Sequence, residues 1–241
     1  ELPLAAKENL SSVISFELDR FTPLSKDNAC FDYVVLGEDP KNVKFLLAVT
    51  RSDRVQSYLE ALQIRNIQIK KVIISAFAIK SLIQNTYPQA DAIYLSLRGG
   101  AYEYGVMENG LLYRSGCEST ASEGESFAES ISEHLTALSD EFIRNGRRLP
   151  IVVDADEAQI NVLRNRLPGR KFASLDLDNK LNVPKQQKEL SAVALGGALD
   201  SFRSDPQNIN LLHRDNREQK RLTWVLTAFL IAVIASMAAF H

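Results

Sequence analysis

The sequence predicts an α/β fold with mixed sheets in two related subdomains, followed by one membrane-spanning helix. Three observations lead to this prediction. Apolar runs typical of strands alternate with helical patterns along most of the 241 residues. The order strand, strand, helix, strand, helix partly recurs as three strands, helix, strand, helix, strand, helix, so a cleft between two subdomains is expected. An uncharged apolar segment then runs from Leu222 to Phe240.

The first half opens with a helical apolar pattern that stops at Thr22-Pro23, because a residue before proline avoids the α conformation. A hairpin follows, with the turn-forming sequence GEDPKN between its strands. The predicted elements are a helix over 5–20, strands Phe31–Leu36 and Val43–Thr50, a helix Ser52–Leu62 with Ser52 as N-cap, a strand Ile67–Ile74, and a helix from Ala76 to about Asn85.

The second half restarts after Tyr87-Pro88 and contains Asn109-Gly110, the strongest short hairpin signal. The predicted elements are strands Ala92–Leu97, Ala101–Met107 and Leu111–Arg114, a helix Ser126–Arg144, a strand Leu149–Val153, a helix Glu157–Leu167, a strand Phe172–Leu177, a helix Glu189–Phe202, and a polar connector over 203–221.

The segment from Leu222 to Phe240 predicts a transmembrane helix. It contains no charge, Pro or Gly, and at 1.5 Å per residue it reaches about 28 Å, close to the thickness of the hydrocarbon core. Trp224 lies near its start, where an interfacial anchor belongs. The alternative is a buried core helix of a soluble domain, which is expected to be shorter and to carry a polar stripe.

Orientation follows from the flanking charges. Basic residues crowd the N-terminal side of the helix, whereas His241 alone follows its far end. The positive-inside rule therefore places the residues before Leu222 in the cytoplasm. The basic residues are Arg214, Arg217, Lys220 and Arg221.

Composition excludes several function classes. A formal net charge of −2 offers no basic excess for phosphates, so a nucleic-acid partner is not expected. Cys30 and Cys117 are too few for a disulfide framework and read as small apolar residues in a reducing compartment. The histidines lack metal-ligand spacing; they are His134, His213 and His241. The start at Glu1, without Met, suggests an internal fragment, and a further domain is expected after His241.

No catalytic residue, cofactor or metal ligand is assigned, because the common phosphate, zinc and nucleophile motifs are missing. Asp154 and Asp156 follow an apolar strand and could hold a metal, although a solvated strand end or a helix N-cap also accounts for them. Gly196-Gly197 could admit a ligand or allow close helix packing. Three acidic residues suit the positive end of a helix dipole: Glu123, Glu125 and Glu129.

Several segments together resemble the actin-like domain of PilM and its relatives. The run ENLSSVISFELDRFTPL followed by FDYVVLG is similar to the family's helix of the type xxIxFELxxYxPF and its hairpin opening xxDYxVL. The stretch LLAVTRSDRVQSYLEALQIRNIQIKKVIISAFAI resembles the strand, helix and strand that lead into the second subdomain. The resemblance extends over about residues 2–200 and is most specific over 9–83.

A second resemblance begins directly afterwards. Ile209, Asn210, Leu211 and Leu212 resemble the INLLP-type peptide that opens PilN, where basic residues and one transmembrane helix also follow; His213 replaces the usual Pro. Both parts on one chain resemble the L protein of type II secretion (GspL) and PilM–PilN fusions. The implied domains are a partial actin-like cytoplasmic domain over 1–202, a linker with the INLL peptide over 203–221, and a transmembrane helix over 222–240.

The resemblance implies an inner-membrane platform scaffold of a type II secretion or type IV pilus assembly machine, with its N-terminal domain in the bacterial cytoplasm. The implied partners are the cytoplasmic assembly ATPase, a bitopic partner (the M protein or a PilO-like subunit), membrane lipid, and further copies in a homodimer or larger ring. It also implies that the opening strands of the first subdomain lie upstream of Glu1, and that a small ferredoxin-like periplasmic domain follows the span.

One departure from the family puts ATP hydrolysis in doubt. PilM-type domains carry an Asp-x-Gly phosphate motif on the first strand of the second subdomain, and the equivalent stretch here is Ser96-Leu97-Arg98, without a carboxylate. The protein is therefore expected not to be an enzyme. The alternatives are a membrane-tethered actin-like nucleotide-binding ATPase and a membrane-bound sensor with an unrelated α/β domain.

The segment Ile209–Leu212 also predicts a docked peptide on physical grounds. It places three large apolar side chains in an otherwise polar connector, and burying each of them contributes about 1.5–3 kcal/mol before ordering costs. We expect them to insert into a groove on the preceding domain of the same chain, with Asn210 bonding backbone at the groove mouth. The alternative is a strand-like linker with chance apolar residues.

Overall fold

The computed structural model describes residues 1–87, 91–98, 101–119, 125–144, 147–175, 191–202, 207 and 209–212. These form two compact units. The first consists of Glu1–Val72 with the segment that begins at Ile209, and the second is Ile73–Asn208. Within the described ranges, no helix is both long enough and apolar enough to cross a bilayer. The predicted span over 222–240 lies outside these ranges.

The first unit contains a three-stranded antiparallel sheet in the order β1-β3-β2. Its elements are β1 (Leu2–Pro3), a 3-10 turn (Leu4–Asn9), α1 (Leu10–Phe16), α2 (Leu18–Phe21), a second 3-10 turn (Lys26–Asn28), β2 (Ala29–Glu38), β3 (Asn42–Arg51) and α3 (Ser52–Gln63). Strands β2 and β3 form the predicted hairpin. Ile14 and Leu18 pack with Phe31 and Val43 in its core, because the apolar positions of α1 and α2 face the sheet.

Three details of the first unit differ from the sequence-based predictions. The helix over 5–20 is a 3-10 turn followed by two helices that are interrupted at Glu17. Ser52 is the first residue of α3, so its predicted role as N-cap is wrong: Arg51 takes that position without a side-chain cap bond. Ile67–Ile74 is not a strand in the described structure, since no strand pairs with it.

The second unit is built on a five-stranded mixed sheet in the order β10-β9-β4-β5-β6. Strands β10, β9 and β4 are parallel, whereas β4, β5 and β6 are antiparallel. The elements are α4 (Ser75–Thr86), β4 (Ala92–Arg98), β5 (Ala101–Glu108), β6 (Leu111–Ser119), α5 (Glu125–Glu141), β7 (Ile143–Arg144), β8 (Arg147–Arg148), β9 (Ile151–Asp154), α6 (Glu157–Arg166), β10 (Phe172–Ser174) and α7 (Ala192–Phe202).

Helices pack on the sheet of the second unit through apolar side chains. Ile131 and Leu135 of α5 and Leu163 of α6 join the buried cluster around Leu95 of β4. The turn between β5 and β6 has positive φ at Asn109 and Gly110, as the predicted Asn-Gly hairpin requires, with values of 51° and 74°. The predicted elements of this unit occur in the predicted order, with the unpredicted short hairpin β7-β8 inserted between α5 and β9.

Some boundaries in the second unit differ from the predictions. Helix α5 ends at Glu141 instead of Arg144, because the chain turns there into the short hairpin β7-β8. Strand β6 continues beyond Arg114 to Ser119, since β5 offers backbone partners along that length. Strand β10 ends at Ser174.

Candidate peptide-docking site

The segment Ile209–Leu212 lies against Lys70–Val72 within the first unit. The Leu211 N–H donates to the Val72 carbonyl at 2.8 Å. This is a single backbone bond instead of a strand ladder. The apolar, β-branched run around Val72 therefore has a backbone partner and yet belongs to no sheet.

The Asn210 side chain ties the segment to this extended backbone. Its Oδ1 accepts the Val72 N–H at 3.0 Å, and its Nδ2 donates to the Lys70 carbonyl at 3.2 Å. The same Oδ1 also accepts the Leu212 N–H at 3.1 Å, which closes a local turn. An amide is the side-chain group that can accept and donate to neighbouring backbone groups in this way.

Asp32 on β2 holds the segment from the sheet side. Its Oδ2 accepts the Asn210 N–H at 2.9 Å, while its Oδ1 accepts the N–H of Tyr33 at 2.9 Å. Asp32 is buried, and a buried carboxylate requires hydrogen-bond donors. Asp32 was not among the site residues expected from the sequence, although it is the only charged residue in the apolar run ACFDYVVL.

Two side chains of the segment are fully enclosed. Ile209 is 1% exposed and Leu211 is 2% exposed. Leu212 lies at the edge, where it lines an open cavity of about 530 Å³ together with Ile67 and Ile69. The site therefore combines two buried apolar anchors with a backbone-reading amide, which together can select a short peptide by sequence.

The two aspartates after β9 have separate structural roles. Asp156 caps α6: its Oδ1 accepts the Gln159 N–H at 2.7 Å, and the Gln159 side chain accepts the N–H of Asp156. Asp154 instead accepts a hydrogen bond from Ser96 at 3.1 Å. Among the residues that the structure describes, no group of three or more His, Cys, Asp or Glu side chains could hold a metal ion.

The contact between Ser96 and Asp154 changes the expectation for the phosphate motif. The stretch Ser96-Leu97-Arg98 has no carboxylate of its own, but the neighbouring parallel strand β9 places one beside Ser96. Both residues lie at the carboxyl ends of their strands. The sequence could not reveal this pair, because 58 residues separate its members.

Gly196 packs directly against helix α4. A Cβ added at Gly196 would lie 1.9 Å from the Ala78 carbonyl oxygen, whereas one at Gly197 would meet nothing within 4 Å. Of the two interpretations of this glycine pair, ligand access and close helix packing, the structure therefore supports close helix packing at Gly196.

The remaining predicted residues are placed as follows. Cys30 and Cys117 are free thiols, half-buried and exposed respectively. His134 contacts the Tyr102 hydroxyl at 2.7 Å through Nδ1, and that hydroxyl donates to Glu118 at 2.8 Å. Glu125 and Glu129 lie in the first turns of α5. Outside the described residues lie Glu123, His213, Arg214, Arg217, Lys220, Arg221, Leu222, Trp224, Phe240 and His241.

No protein-family model matches the chain, and no curated protein matches it. Solved structures do match. A chain of the "PilM-PilN type IV pilus biogenesis complex" superposes with a TM-score of 0.63 at 15% identity, covering 84% of this chain and 75% of that chain. The cytoplasmic domain of EpsL, an inner membrane component of the type II secretion system of Vibrio cholerae, superposes with a TM-score of 0.49 at 14% identity. This match covers 88% of this chain and 70% of that chain.

A further match is a Bacteroides thetaiotaomicron protein with an actin-like ATPase fold and unknown function, with a TM-score of 0.43 at 14% identity, covering 66% of this chain and 60% of that chain. At these identities the likeness to the PilM-PilN complex establishes the fold alone. The chain has a PilM-like mixed α/β fold, so this part of the fold class expected from the sequence is confirmed. The transmembrane helix that completes the expected fold class lies outside the described residues.

Proposed function

We propose that this chain is a platform scaffold of a type IV pilus or type II secretion machine, without an enzymatic activity of its own. Its folded units lie in the bacterial cytoplasm, and a helix over 222–240 anchors it in the inner membrane. The PilM-like fold supports this role. The main observation that supports the scaffold role is that Ile209–Leu212 docks on the first unit. This segment immediately precedes the basic flank and the proposed anchor.

A docked segment at this position couples the folded body to the membrane. Residues 213–221 form the only spacer between Leu212 and the proposed helix. Nine residues span at most about 30 Å when fully extended, so the first unit stays within that distance of the bilayer. If the segment were undocked, the tether would be longer and a displacement of the body would be transmitted less directly.

The proposed partners are the cytoplasmic assembly ATPase and a bitopic inner-membrane subunit of the M-protein or PilO-like type, with further copies of the chain in a homodimer or ring. The test is fractionation of cells followed by copurification with coexpressed candidates of these two classes. The intact chain is expected in the inner-membrane fraction together with both. Recovery of the intact chain in the soluble fraction, without either partner, would refute the proposal.

The docked segment has its own matched pair of variants. Ile209→Ala removes a buried anchor, whereas Ile64→Ala changes a residue of the same unit that is 85% exposed. We expect Ile209→Ala to reduce recovery of the bitopic partner several-fold, and Ile64→Ala to leave it unchanged. Equal recovery of the bitopic partner with both variants would show that platform assembly does not depend on the docked segment.

The Ser96–Asp154 pair favours a second candidate, a membrane-tethered nucleotide-binding ATPase. A carboxylate at the carboxyl ends of parallel strands is placed where α/β folds bind nucleotides. The measurement is Mg-ATP binding and turnover by the intact chain. Turnover that is lost in Asp154→Asn and retained in Asp156→Asn would favour this candidate over the scaffold.

A further inference from the structure

Two arginines converge on one carboxylate oxygen at the amino ends of strands β9 and β10. Arg148 of β8 places Nη2 3.0 Å from Asp140 Oδ1, and Arg170 places Nη2 3.8 Å from the same atom. Arg170 directly precedes the Lys171 carbonyl that accepts the first N–H of β9. The cluster therefore lies at the sheet edge opposite to the carboxyl ends where Ser96 and Asp154 are found.

The charges of this cluster do not balance. Among the residues that the structure describes, two guanidinium groups face a single carboxylate here, which leaves one positive charge in excess within that set.

Arg170 has unused donor capacity. Its side chain is 5% exposed, and its Nη1 is buried without a hydrogen-bond partner in the described part of the chain. A guanidinium group carries five N–H donors and normally uses them when it is buried. Burial lowers the pKa of Arg170, the nearby charge of Arg148 lowers it further, and Asp140 opposes both effects. An added anion would offset the repulsion between the two guanidinium groups.

We propose that Arg148 and Arg170 form a binding site for a phosphate oxyanion, and that Asp140 occupies this site when the anion is absent. Guanidinium groups match phosphate through paired N–H···O bonds. The site is accessible because 55% of the Arg148 side chain and 49% of the Asp140 side chain are exposed. An exposed ion pair contributes little to stability, so a phosphate oxyanion can displace the Asp140 carboxylate.

Free phosphate and the phosphate group of an anionic lipid share this chemistry. The test is isothermal titration calorimetry. Inorganic phosphate is titrated into the intact 241-residue chain in a neutral detergent and a sulfate-free buffer. A second arm uses dihexanoylphosphatidylglycerol, with dihexanoylphosphatidylcholine as the zwitterionic reference. The site accounts for binding in either arm, and the stronger arm identifies the source of the phosphate.

Three variants distinguish this site from diffuse attraction. Arg148→Gln is expected to weaken binding at least tenfold, and Asp140→Asn to strengthen it severalfold because the competing carboxylate is gone. Arg164→Gln is the matched control, since Arg164 is also an exposed arginine paired with a carboxylate, Glu157, but on another helix. It is expected to change nothing.

The proposal is overturned if no saturable phosphate or phosphatidylglycerol binding is found, or if Arg148→Gln and Arg164→Gln weaken binding equally. It is also overturned if Asp140→Asn weakens binding, because the carboxylate would then not compete. Arg148 and Asp140 are exposed enough for these variants to fold, so the outcome does not depend on replacing the buried Arg170. The site is independent of the proposed scaffold role and can fail without it.

Discussion

Replacing Asn210 by Ala removes the side chain that connects the docked segment to the backbone of the first unit. Three hydrogen bonds are lost, to Val72 N, Lys70 O and Leu212 N. At a net contribution of about 0.5–1.5 kcal/mol each, the variant should destabilise docking by about 1.5–4.5 kcal/mol. The backbone bond from Leu211 to Val72 and the two buried apolar side chains remain, so the segment should open more often without losing its position.

Amide hydrogen exchange measures this opening directly. The Leu211 N–H is the reporter because its acceptor, the Val72 carbonyl, is unaffected by the substitution. A change of about 1.5–4.5 kcal/mol corresponds to a loss of protection of about tenfold to two thousandfold. Asn161→Ala is the control, since Asn161 is exposed on α6 and only accepts from Arg164. Unchanged protection of Leu211 in Asn210→Ala would refute the assigned role of the side chain.

Three further predictions concern stability. Gly196→Ala should destabilise the second unit by several kcal/mol in denaturant unfolding, because its Cβ would clash with the Ala78 carbonyl, while Gly197→Ala should not destabilise it. Asp156→Ala should cost about 0.5–2 kcal/mol in the same assay through loss of the α6 cap, and a smaller effect than 0.3 kcal/mol would contradict the capping box. Burial, and then a neighbouring carboxylate, hold the pKa of the Tyr102 phenol above its ordinary value. Its contribution to stability is therefore fully present below about pH 10, the unfolded value, and falls as the pH rises from there towards the higher pKa of the folded protein. Tyr102→Phe should flatten the alkaline decline in melting temperature.

Local patterns were sufficient for elements whose stabilising contacts are near in sequence. The hairpins of β2 with β3 and of β5 with β6 follow from alternation and turn residues, and Asn109 takes the left-handed conformation that its turn needs. A helix N-cap was also among the roles predicted for Asp156, since its partner is three residues away. In each case the two interacting groups lie within one turn of the chain or on two strands that a short turn connects.

The run Ile67–Ile74 shows where such patterns stop being sufficient. Its β-branched residues favour an extended, half-buried chain, but the run forms no strand in the described structure. Whether an extended run becomes a strand depends on a partner, and here the partner is the segment 209–212, bonded through one amide side chain and one backbone N–H. The apolar residues of that segment could be predicted from composition, but Asp32 could not be paired with Asn210, which lies 178 residues away.

The position of the docked segment also explains why its effects should be confined to the first unit. The chain leaves this unit after Val72 and returns at Ile209, so the intervening 136 residues (73 to 208) form a separately packed insertion with its own core. Contacts within that core do not involve Asn210. In the Asn210→Ala variant, protection should therefore fall at Leu211 and stay constant at the Leu175 amide, which donates to Val153 in the second unit. A parallel loss at both amides would mean that docking stabilises the insertion as well, and that the two units unfold as one.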